Sequence, residues 1–217
     1  MPSVSLVAIT EPKVPGVLSV EEFVAYAARV SNPANQMNSE TAPKLLAYLV
    51  KNRHWSPFEM ISVTMEVVST RDIVRQMLRH RSFSFQEFSQ RYATVEGLGF
   101  TLSEARLQDS KNRQASIDIE DNGVLQAEWN AKQQAVIEVV TDAYEWALSK
   151  NIAKEVARKV LPEGLTNSKM YMAGTLRSWI HFCSVRTEIG TQKEHREVAN
   201  GCLSIIKEQF PAISGLL

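Results

Sequence analysis

The apolar residues of the chain follow two spacings, one of every second position and one of every third or fourth position. In residues 61–68, ISVTMEVV, apolar side chains occupy every second position, which predicts a strand with one buried face. The residues on that face are Ile61, Val63, Met65 and Val67. A shorter strand is predicted at residues 5–9, because Pro12 and Pro15 follow it and end the run.

Helical spacing accounts for most of the remaining chain. Ser19 and Glu22 form a capping-box pattern at the start of the first predicted helix. The other predicted helices cover residues 41–51, 71–80, 125–149, 152–161, 169–185 and 191–209. Between them, residues 93–123 are interpreted as a loop-rich insertion with one short strand, and its turn residues are Gly97, Gly99, Asp121, Asn122 and Gly123.

Taken together, these elements predict the α+β class. We expect a helix-rich single domain over residues 1–217, with a small, mainly antiparallel sheet. The composition agrees, because 44% hydrophobic and 22% charged residues are ordinary values for a globular protein.

The charge and the amino terminus narrow the function classes. The 24 basic and 24 acidic side chains give a net charge of zero, whereas proteins that wrap nucleic acid usually carry a basic excess. The chain has no apolar run of about 18 residues and no signal-peptide pattern at its start. We therefore expect a cytoplasmic protein with no nucleic-acid or membrane partner.

The two cysteines do not suggest chemistry. Cys183 and Cys202 show no CxxC spacing and stand in apolar helical contexts, which favours two buried, reduced thiols. No metal site is predicted.

Candidate chemistry is concentrated in residues 71–91. Five arginines, His80 and only two acids give this segment a net charge of +3 in a chain whose total is zero. Serine hydroxyls and glutamine amides alternate with phenylalanine rings after Arg81. Guanidinium groups and hydroxyls are the groups that bind phosphate, and aromatic rings can stack against the planar ring of a ligand.

Simpler explanations of the same segment exist. Basic residues near the end of a helix favour the negative pole of its dipole, and a run of charge is usually a solvated face. The alternation of serine and phenylalanine also fits a half-buried strand. Composition alone leaves the ligand site and these alternatives open.

A longer pattern resembles a known family. Residues 79–92, RHRSFSFQEFSQRY, resemble the signature RHRxxSxNxxSxR of the flavin-dependent thymidylate synthases, except that Gln86 stands where asparagine is usual. Four flanking segments resemble other parts of the family: AARVS at 27–31, HWSPFEM at 54–60, EVARKVLP at 155–162 and RSWIHFCSVR at 177–186. The resemblance extends over residues 27–192 and implies a fold of the thymidylate synthase-complementing type.

The resemblance implies an enzyme that converts dUMP to dTMP. Methylenetetrahydrofolate would supply the one-carbon unit, and FAD reduced by NADPH would supply the hydride. The partners implied are dUMP and folate as small-molecule substrates, and further copies of the chain in a homotetramer with shared active sites. No cysteine nucleophile is required, which agrees with the contexts of Cys183 and Cys202.

The same resemblance implies a set of site residues. The cofactor-binding positions are Ser56, Arg79, His80, Arg81, Glu87, Thr175, Leu176, Arg177 and His181. The substrate-binding positions are Gln76, Arg79, Glu87, Phe88, Ser89, Gln90, Arg91, Arg158 and Arg186. The resemblance also makes Arg186 the catalytic candidate, placed against the uracil ring, where a guanidinium that keeps its proton would stabilise charge.

Some positions depart from the family. Thr175 and His181 stand where asparagine is common, and Gly190 stands where a histidine is frequent. His195 lies too far along the chain to replace that histidine without rearrangement. These departures keep an inactive relative among the alternatives.

Two other functions remain as competing hypotheses. The first is a flavin- and folate-dependent methyltransferase acting on uracil in RNA, against which the zero net charge and the absence of a glycine-rich dinucleotide motif argue. The second is a module that binds single-stranded nucleic acid through arginines and stacked phenylalanines. Bound flavin would distinguish the enzyme from the binding module.

Overall fold

The computed structural model describes residues 2–95, 97–120 and 123–217, so the predicted turn residues Asp121 and Asn122 lie outside it. The strands are β1 (Ser3–Ile9), β2 (Ser62–Thr70), β3 (Phe83–Glu87), β4 (Leu107–Gln108), β5 (Ser116–Ile117) and β6 (Asn167–Thr175). The α-helices are α1 (Val20–Ala28), α2 (Ala42–Lys51), α3 (Arg71–Met77), α4 (Val124–Ser149), α5 (Lys154–Ala157), α6 (Leu176–Arg186) and α7 (Lys193–Gln209). Short 3-10 helices cover Pro33–Asn35, Ser56–Met60, Arg158–Val160 and Pro211–Leu216.

The main sheet has the strand order β1-β2-β6-β3, and every neighbouring pair in it is antiparallel. The predicted inward face of β2 is confirmed, because Val63, Met65 and Val67 are almost fully buried while the residues between them are partly exposed. The prediction of a helix-rich α+β fold with a small antiparallel sheet is confirmed.

The predicted helix at residues 169–185 is wrong in its first half. Residues up to Thr175 form β6, the strand between β2 and β3, and only then does α6 begin. The burial of Ser168, Met170 and Met172 alternates along β6, as expected for a strand. Pairing on both sides of β6 overrides the helical preference of its local sequence.

Two other predicted segments differ in detail. The helix expected at 152–161 is shorter, because α5 tightens into the 3-10 helix Arg158–Val160 ahead of Pro162. The insertion at 93–123 contains the paired strands β4 and β5 instead of one strand. The capping role of Ser19 is confirmed, because its Oγ accepts a hydrogen bond from the Glu22 N–H at 3.1 Å. The Glu22 carboxylate accepts from the N–H of Leu18, one residue before the expected Ser19, at 2.6 Å.

The core is formed by residues of the sheet, of α6 and α7, and of α1 and α2. Trp179 of α6 is fully buried, and its Nε1–H donates to the carbonyl oxygen of Val63 in β2 at 3.0 Å. The Phe83 ring lies edge-on against the Trp179 ring, with centroids 4.8 Å apart. These contacts join β2, β3 and α6 into one packed unit. Among the helices described, none is long and apolar enough to cross a membrane.

The close approach of Phe83 to Gly174 can be tested by substitution. In Gly174→Ala, the new methyl group would lie 2.6 Å from Cε1 of Phe83 and would force the buried ring to move. We expect a loss of about 1–3 kcal/mol in the free energy of unfolding, measured by urea denaturation. Gly164→Ala is the matched control, because its methyl group meets nothing within 4 Å. Equal stabilities of the two variants would contradict the packing described here.

Candidate active site

Residues 79–87, the part of the arginine-rich segment after α3, form a turn followed by a strand. Arg79, His80 and Arg81 lie between α3 and β3. In β3, Phe83 and Phe85 pack against the core, whereas the side chains on the other face are exposed. The half-buried strand that the sequence left open is therefore present, and the basic turn precedes it.

His80 of this turn meets Arg186 at the end of α6. The Nε–H of Arg186 donates to Nε2 of His80 at 2.9 Å, and the His80 ring lies edge-on against Phe182 with centroids 5.0 Å apart. Because the accepting nitrogen carries no proton, His80 is neutral with its proton on Nδ1. Among the described residues, the Arg186 guanidinium makes no other hydrogen bond and no ion pair, so its remaining N–H groups are free to donate.

A second histidine, His195, lies next to this pair. It is fully buried, with its ring centroid 6.4 Å from that of His80. Nδ1 of His195 is 3.1 Å from Oε1 of Gln76, and Nε2 of Gln76 donates to Oε1 of Gln192 at 2.7 Å. The predicted substrate residue Gln76 therefore connects α3 with the start of α7.

Both histidines are held in the neutral form. Burial, with the charge of Arg186 and the neighbouring His181, lowers the pKa of His80. Burial, with Arg186 and His80, lowers the pKa of His195 to about 4. The Arg186 cation thus faces two uncharged imidazoles, one of which accepts its hydrogen bond.

Glu87 lies at the other end of β3 and is already engaged within the chain. It accepts a hydrogen bond from Oγ of Ser168 at 2.8 Å and pairs with Arg71 at 3.1 Å. The side chains of Glu87 and Arg71 are 22% and 14% exposed, so the pair is largely shielded from water. These contacts hold the carboxylate in one place on the sheet.

The predicted substrate residues 88–91 follow Glu87 along the chain, and their side chains differ in exposure to water. Phe88 is half-buried and Ser89 is exposed. Arg91 pairs with Glu155 of α5 at 3.2 Å, and Arg158 begins the 3-10 helix that follows α5.

The amide of Gln90 is buried, and its Nε2 meets no hydrogen-bond partner among the residues described. An unpaired buried donor costs about 1–3 kcal/mol, so the described residues leave the hydrogen-bonding capacity of this amide unused.

The predicted residues described so far form two groups, one around His80 and one around Glu87. Those at the start of α6 form a third group. Thr175 caps α6, because its Oγ1 accepts from the Ser178 N–H at 3.2 Å. Arg177 pairs with Glu59, which brings α6 to the 3-10 helix that begins at the exposed Ser56. Leu176 is fully buried in the core.

A cavity of about 690 Å³ opens beside this third group. Cavities that hold organic ligands typically measure about 300–1,000 Å³, so the space is large enough for a drug-sized group. Its wall includes Arg53, Trp55, Ser82, Arg177, His181 and Leu203. Polar and apolar side chains thus share the wall of the cavity.

The structure brings the predicted residues together only in part. His80 and Arg186 meet, and Gln76 is linked to this pair through His195, but Glu87 lies four residues along β3 from Phe83, or about 13 Å of strand. Arg79 and Arg81 are exposed, and no carboxylate of the described residues pairs with either. A single chain therefore offers three groups of site residues, and the cations of Arg79 and Arg81 lack a carboxylate partner among the described residues.

The cysteines lie in the core and not at a reactive surface. Burial raises the pKa of Cys183 to about 12 and raises that of Cys202 well above its usual range. Neither thiol is therefore a thiolate at neutral pH. In the described ranges, no group of three or more His, Cys, Asp or Glu side chains could hold a metal ion.

Sequence reasoning missed the position of His195. The fold of the chain between α6 and α7 returns His195 to Phe182, with ring centroids 5.8 Å apart, so distance along the chain was a poor guide. A signal was present, because His195 continues the buried face of α7 at helical spacing with Val198, Ala199 and Cys202.

Comparison with known proteins gives consistent relatives. Residues 17–212 match the family described as thymidylate synthase complementing protein. A probable flavin-dependent thymidylate synthase of Paramecium bursaria Chlorella virus 1 is 48% identical, over 99% of this chain and 98% of that protein. The flavin-dependent thymidylate synthase of Synechocystis sp. is 48% identical, over 92% of this chain and 90% of that protein.

A solved structure shows the same fold. The UMP/dUMP methylase PolB from Streptomyces cacaoi, bound with 5-Br dUMP, superposes with a TM-score of 0.82. It is 27% identical, and the match covers 99% of this chain and 95% of that one.

The buried His195 predicts a pH dependence of stability. The unfolded chain takes up a proton on this residue below about pH 6.5, whereas the folded chain does so only near pH 4. The contribution of neutral His195 to the free energy of unfolding is therefore fully present above about pH 6.5. As the pH falls toward 4, the free energy of unfolding drops by roughly 3 kcal/mol. Urea denaturation between pH 7.5 and 4.5 should show a shallower loss for His195→Asn than for the unchanged chain. His54→Gln, at an exposed position, is the control; equal slopes for His195→Asn and the unchanged chain would contradict the prediction.

Proposed function

The chain belongs to the family of thymidylate synthase complementing proteins, the flavin-dependent thymidylate synthases, and we propose that it catalyses the reductive methylation of dUMP to dTMP. The family resemblance of residues 79–92 is thereby confirmed. The contact between Arg186 and His80 carries the proposal for this chain, because it joins the catalytic candidate to the RHR segment.

On the substrate side, we assign dUMP to residues from both ends of β3. Gln76, Arg79 and Arg186 offer an amide and two guanidinium groups beside the basic turn. A second set would contact the phosphate and the ring of dUMP; its members are Glu87, Phe88, Ser89, Gln90, Arg91 and Arg158. The unpaired buried Nε2 of Gln90 supports this assignment, because a nucleotide oxygen would satisfy it.

On the cofactor side, the residues present fit FAD. A dinucleotide brings a pyrophosphate, and the exposed Arg79 and Arg81 offer cations that no described carboxylate neutralises. The cavity beside α6 combines Arg177 and His181 with the aromatic wall of Trp55. The other residues assigned to FAD are Ser56, His80, Glu87, Thr175 and Leu176, the last of which could contribute only its backbone.

The reaction proposed consumes dUMP, methylenetetrahydrofolate, NADPH and a proton, and yields dTMP, tetrahydrofolate and NADP⁺. FAD, when bound, supplies the hydride that it receives from NADPH. Arg186 stabilises negative charge that develops on the uracil ring, and its hydrogen bond to His80 holds the guanidinium in one orientation. The raised pKa values of Cys183 and Cys202 support a route with no enzyme thiolate.

We also propose a homotetramer with shared active sites, in the cytoplasm and without a nucleic-acid or membrane partner. The separation of Glu87 from Arg186 along one chain supports sharing, because residues of a second copy could complete each half. The exposure of Arg79, Arg81 and Ser89 leaves them accessible to such a copy.

UMP is the comparison substrate. The structural relative is described as a UMP/dUMP methylase, so a ribose substrate deserves direct measurement. We expect dUMP to be methylated and UMP to be converted more slowly; the reverse order would reassign the substrate.

Arg186→Ala tests the catalytic assignment. We expect the variant to fold and bind flavin, but to form dTMP about 100-fold more slowly or worse, because the fixed charge beside the uracil is lost. Arg186→Lys, which keeps the charge but not the planar fork, should lie between the two. Unchanged turnover in Arg186→Ala would remove Arg186 from the catalytic role.

Arg81→Ala tests the flavin assignment. Loss of one charge-assisted contact to the pyrophosphate should raise the Kd for FAD by about 10- to 100-fold, measured by flavin fluorescence titration. Stability should not change, because Arg81 is exposed. The control is Arg113→Ala, an exposed arginine of the insertion, which should leave the Kd unchanged.

The decisive experiment is an anaerobic absorption titration of the purified protein. FAD should bind, bleach on addition of NADPH, and recover when dUMP and methylenetetrahydrofolate are added, with dTMP appearing in the products. Absence of flavin binding would overturn the proposed function and favour the nucleic-acid-binding hypothesis.

A further inference from the structure

A chain of hydrogen bonds with a fixed direction runs from α7 to α3. It begins at Glu194, whose carboxylate pairs with Arg106 at 2.6 Å and accepts from Nε2 of Gln192 at 3.1 Å. A carboxylate can only accept, so the nitrogen of the Gln192 amide must face Glu194 and its oxygen must face away. Glu194 therefore sets the orientation of Gln192.

The same logic passes to the next residue. Because Oε1 of Gln192 can only accept, Gln76 must present its Nε2 to it, and the distance between these atoms is 2.7 Å. Oε1 of Gln76 then faces Nδ1 of His195 at 3.1 Å. Since an amide oxygen is an acceptor, His195 must carry its proton on Nδ1 and donate it.

We infer that His195 is a positioning residue of the dUMP site, which fixes the carboxamide of Gln76 through its Nδ1–H. The inference rests on the proposed function, in which Gln76 contacts dUMP. With both ends of the amide engaged, Gln76 keeps one N–H of Nε2 free in a set orientation. Without His195, only the bond to Gln192 restrains this group.

The surroundings of His195 favour this role over simple filling of the core. Its neighbours on the buried face of α7 are small or apolar, such as Val198, Ala199 and Cys202. Its Nε2 is buried and meets no hydrogen-bond partner in the described ranges, which is a cost that an apolar side chain would avoid. The hydrogen bond to Gln76 is the contact that sets an imidazole apart from an apolar residue here.

The charged and titratable groups around His195 keep it neutral. Arg186 on α6 and His80 before β3 both disfavour a second proton on its ring. A neutral imidazole protonated on Nδ1 is the form that the hydrogen-bond chain requires.

Two substitutions separate positioning from packing. His195→Phe keeps a flat ring but has no donor, and His195→Asn keeps an N–H near the position of Nδ1. We expect His195→Phe to raise the Kd and KM for dUMP by about three- to tenfold, with kcat changed by less than about twofold. His195→Asn should stay within about twofold of the unchanged protein. An equal loss in both variants would overturn the inference in favour of a packing role.

A double-mutant cycle tests the connection to Gln76. In the FAD-loaded protein, isothermal titration with dUMP compares Gln76→Met, His195→Phe and the double variant. If His195 acts through Gln76, the double variant should bind dUMP no more weakly than Gln76→Met, within about twofold. Additive losses would overturn the inference.

A measurement without ligand separates this inference from the proposed function. Long-range ¹H–¹⁵N NMR of the ligand-free protein at pH 7 should show His195 protonated on Nδ1 alone; a proton on Nε2 would overturn the hydrogen-bond chain whatever the protein binds. If the unchanged protein instead failed to bind dUMP, the proposed function and the role of His195 toward dUMP would both fall. The tautomer would still report whether the contact with Gln76 exists.

Discussion

The placement of β6 between β2 and β3 is the constraint on which the rest of the structure depends. Phe83 pairs with Gly174 in this register, and the glycine leaves room for the phenylalanine ring. Because β6 continues directly into α6, the same register fixes where the helix begins. Eleven residues of α6, about 15 Å of helix, then bring Arg186 to the turn that precedes β3.

The electrostatics of the site follow from this packing. Arg186 is a half-buried cation whose immediate partners are imidazoles and not carboxylates. A carboxylate in the same place would neutralise the guanidinium, whereas His80 accepts one hydrogen bond and leaves its positive charge uncompensated. Such a cation can stabilise negative charge that develops on a bound substrate. Burial lowers the pKa values of His80 and His195, so both imidazoles stay uncharged beside it.

The two ends of β3 serve different needs. At the start of the strand, the cations of Arg79 and Arg81 face water, while at its end Glu87 is held by Arg71 and Ser168. The exposed cations cost little in the folded chain because water solvates them, and they remain available for an anionic ligand. The held carboxylate has lost its side-chain freedom in advance, which suits a group that must keep one position when a ligand binds.

The sequence by itself determined the family, the α+β class and the identity of most candidate residues. Short-range patterns were sufficient for this, because the alternation in β2, the capping box at Ser19 and the RHR segment are all local. Only the tertiary structure decided that residues 167–175 form an inner strand, since pairing on both sides outweighs local helix preference there. It alone also brought His195 to Gln76 across 119 positions, because contacts between distant segments depend on how helices pack and not on their spacing along the chain.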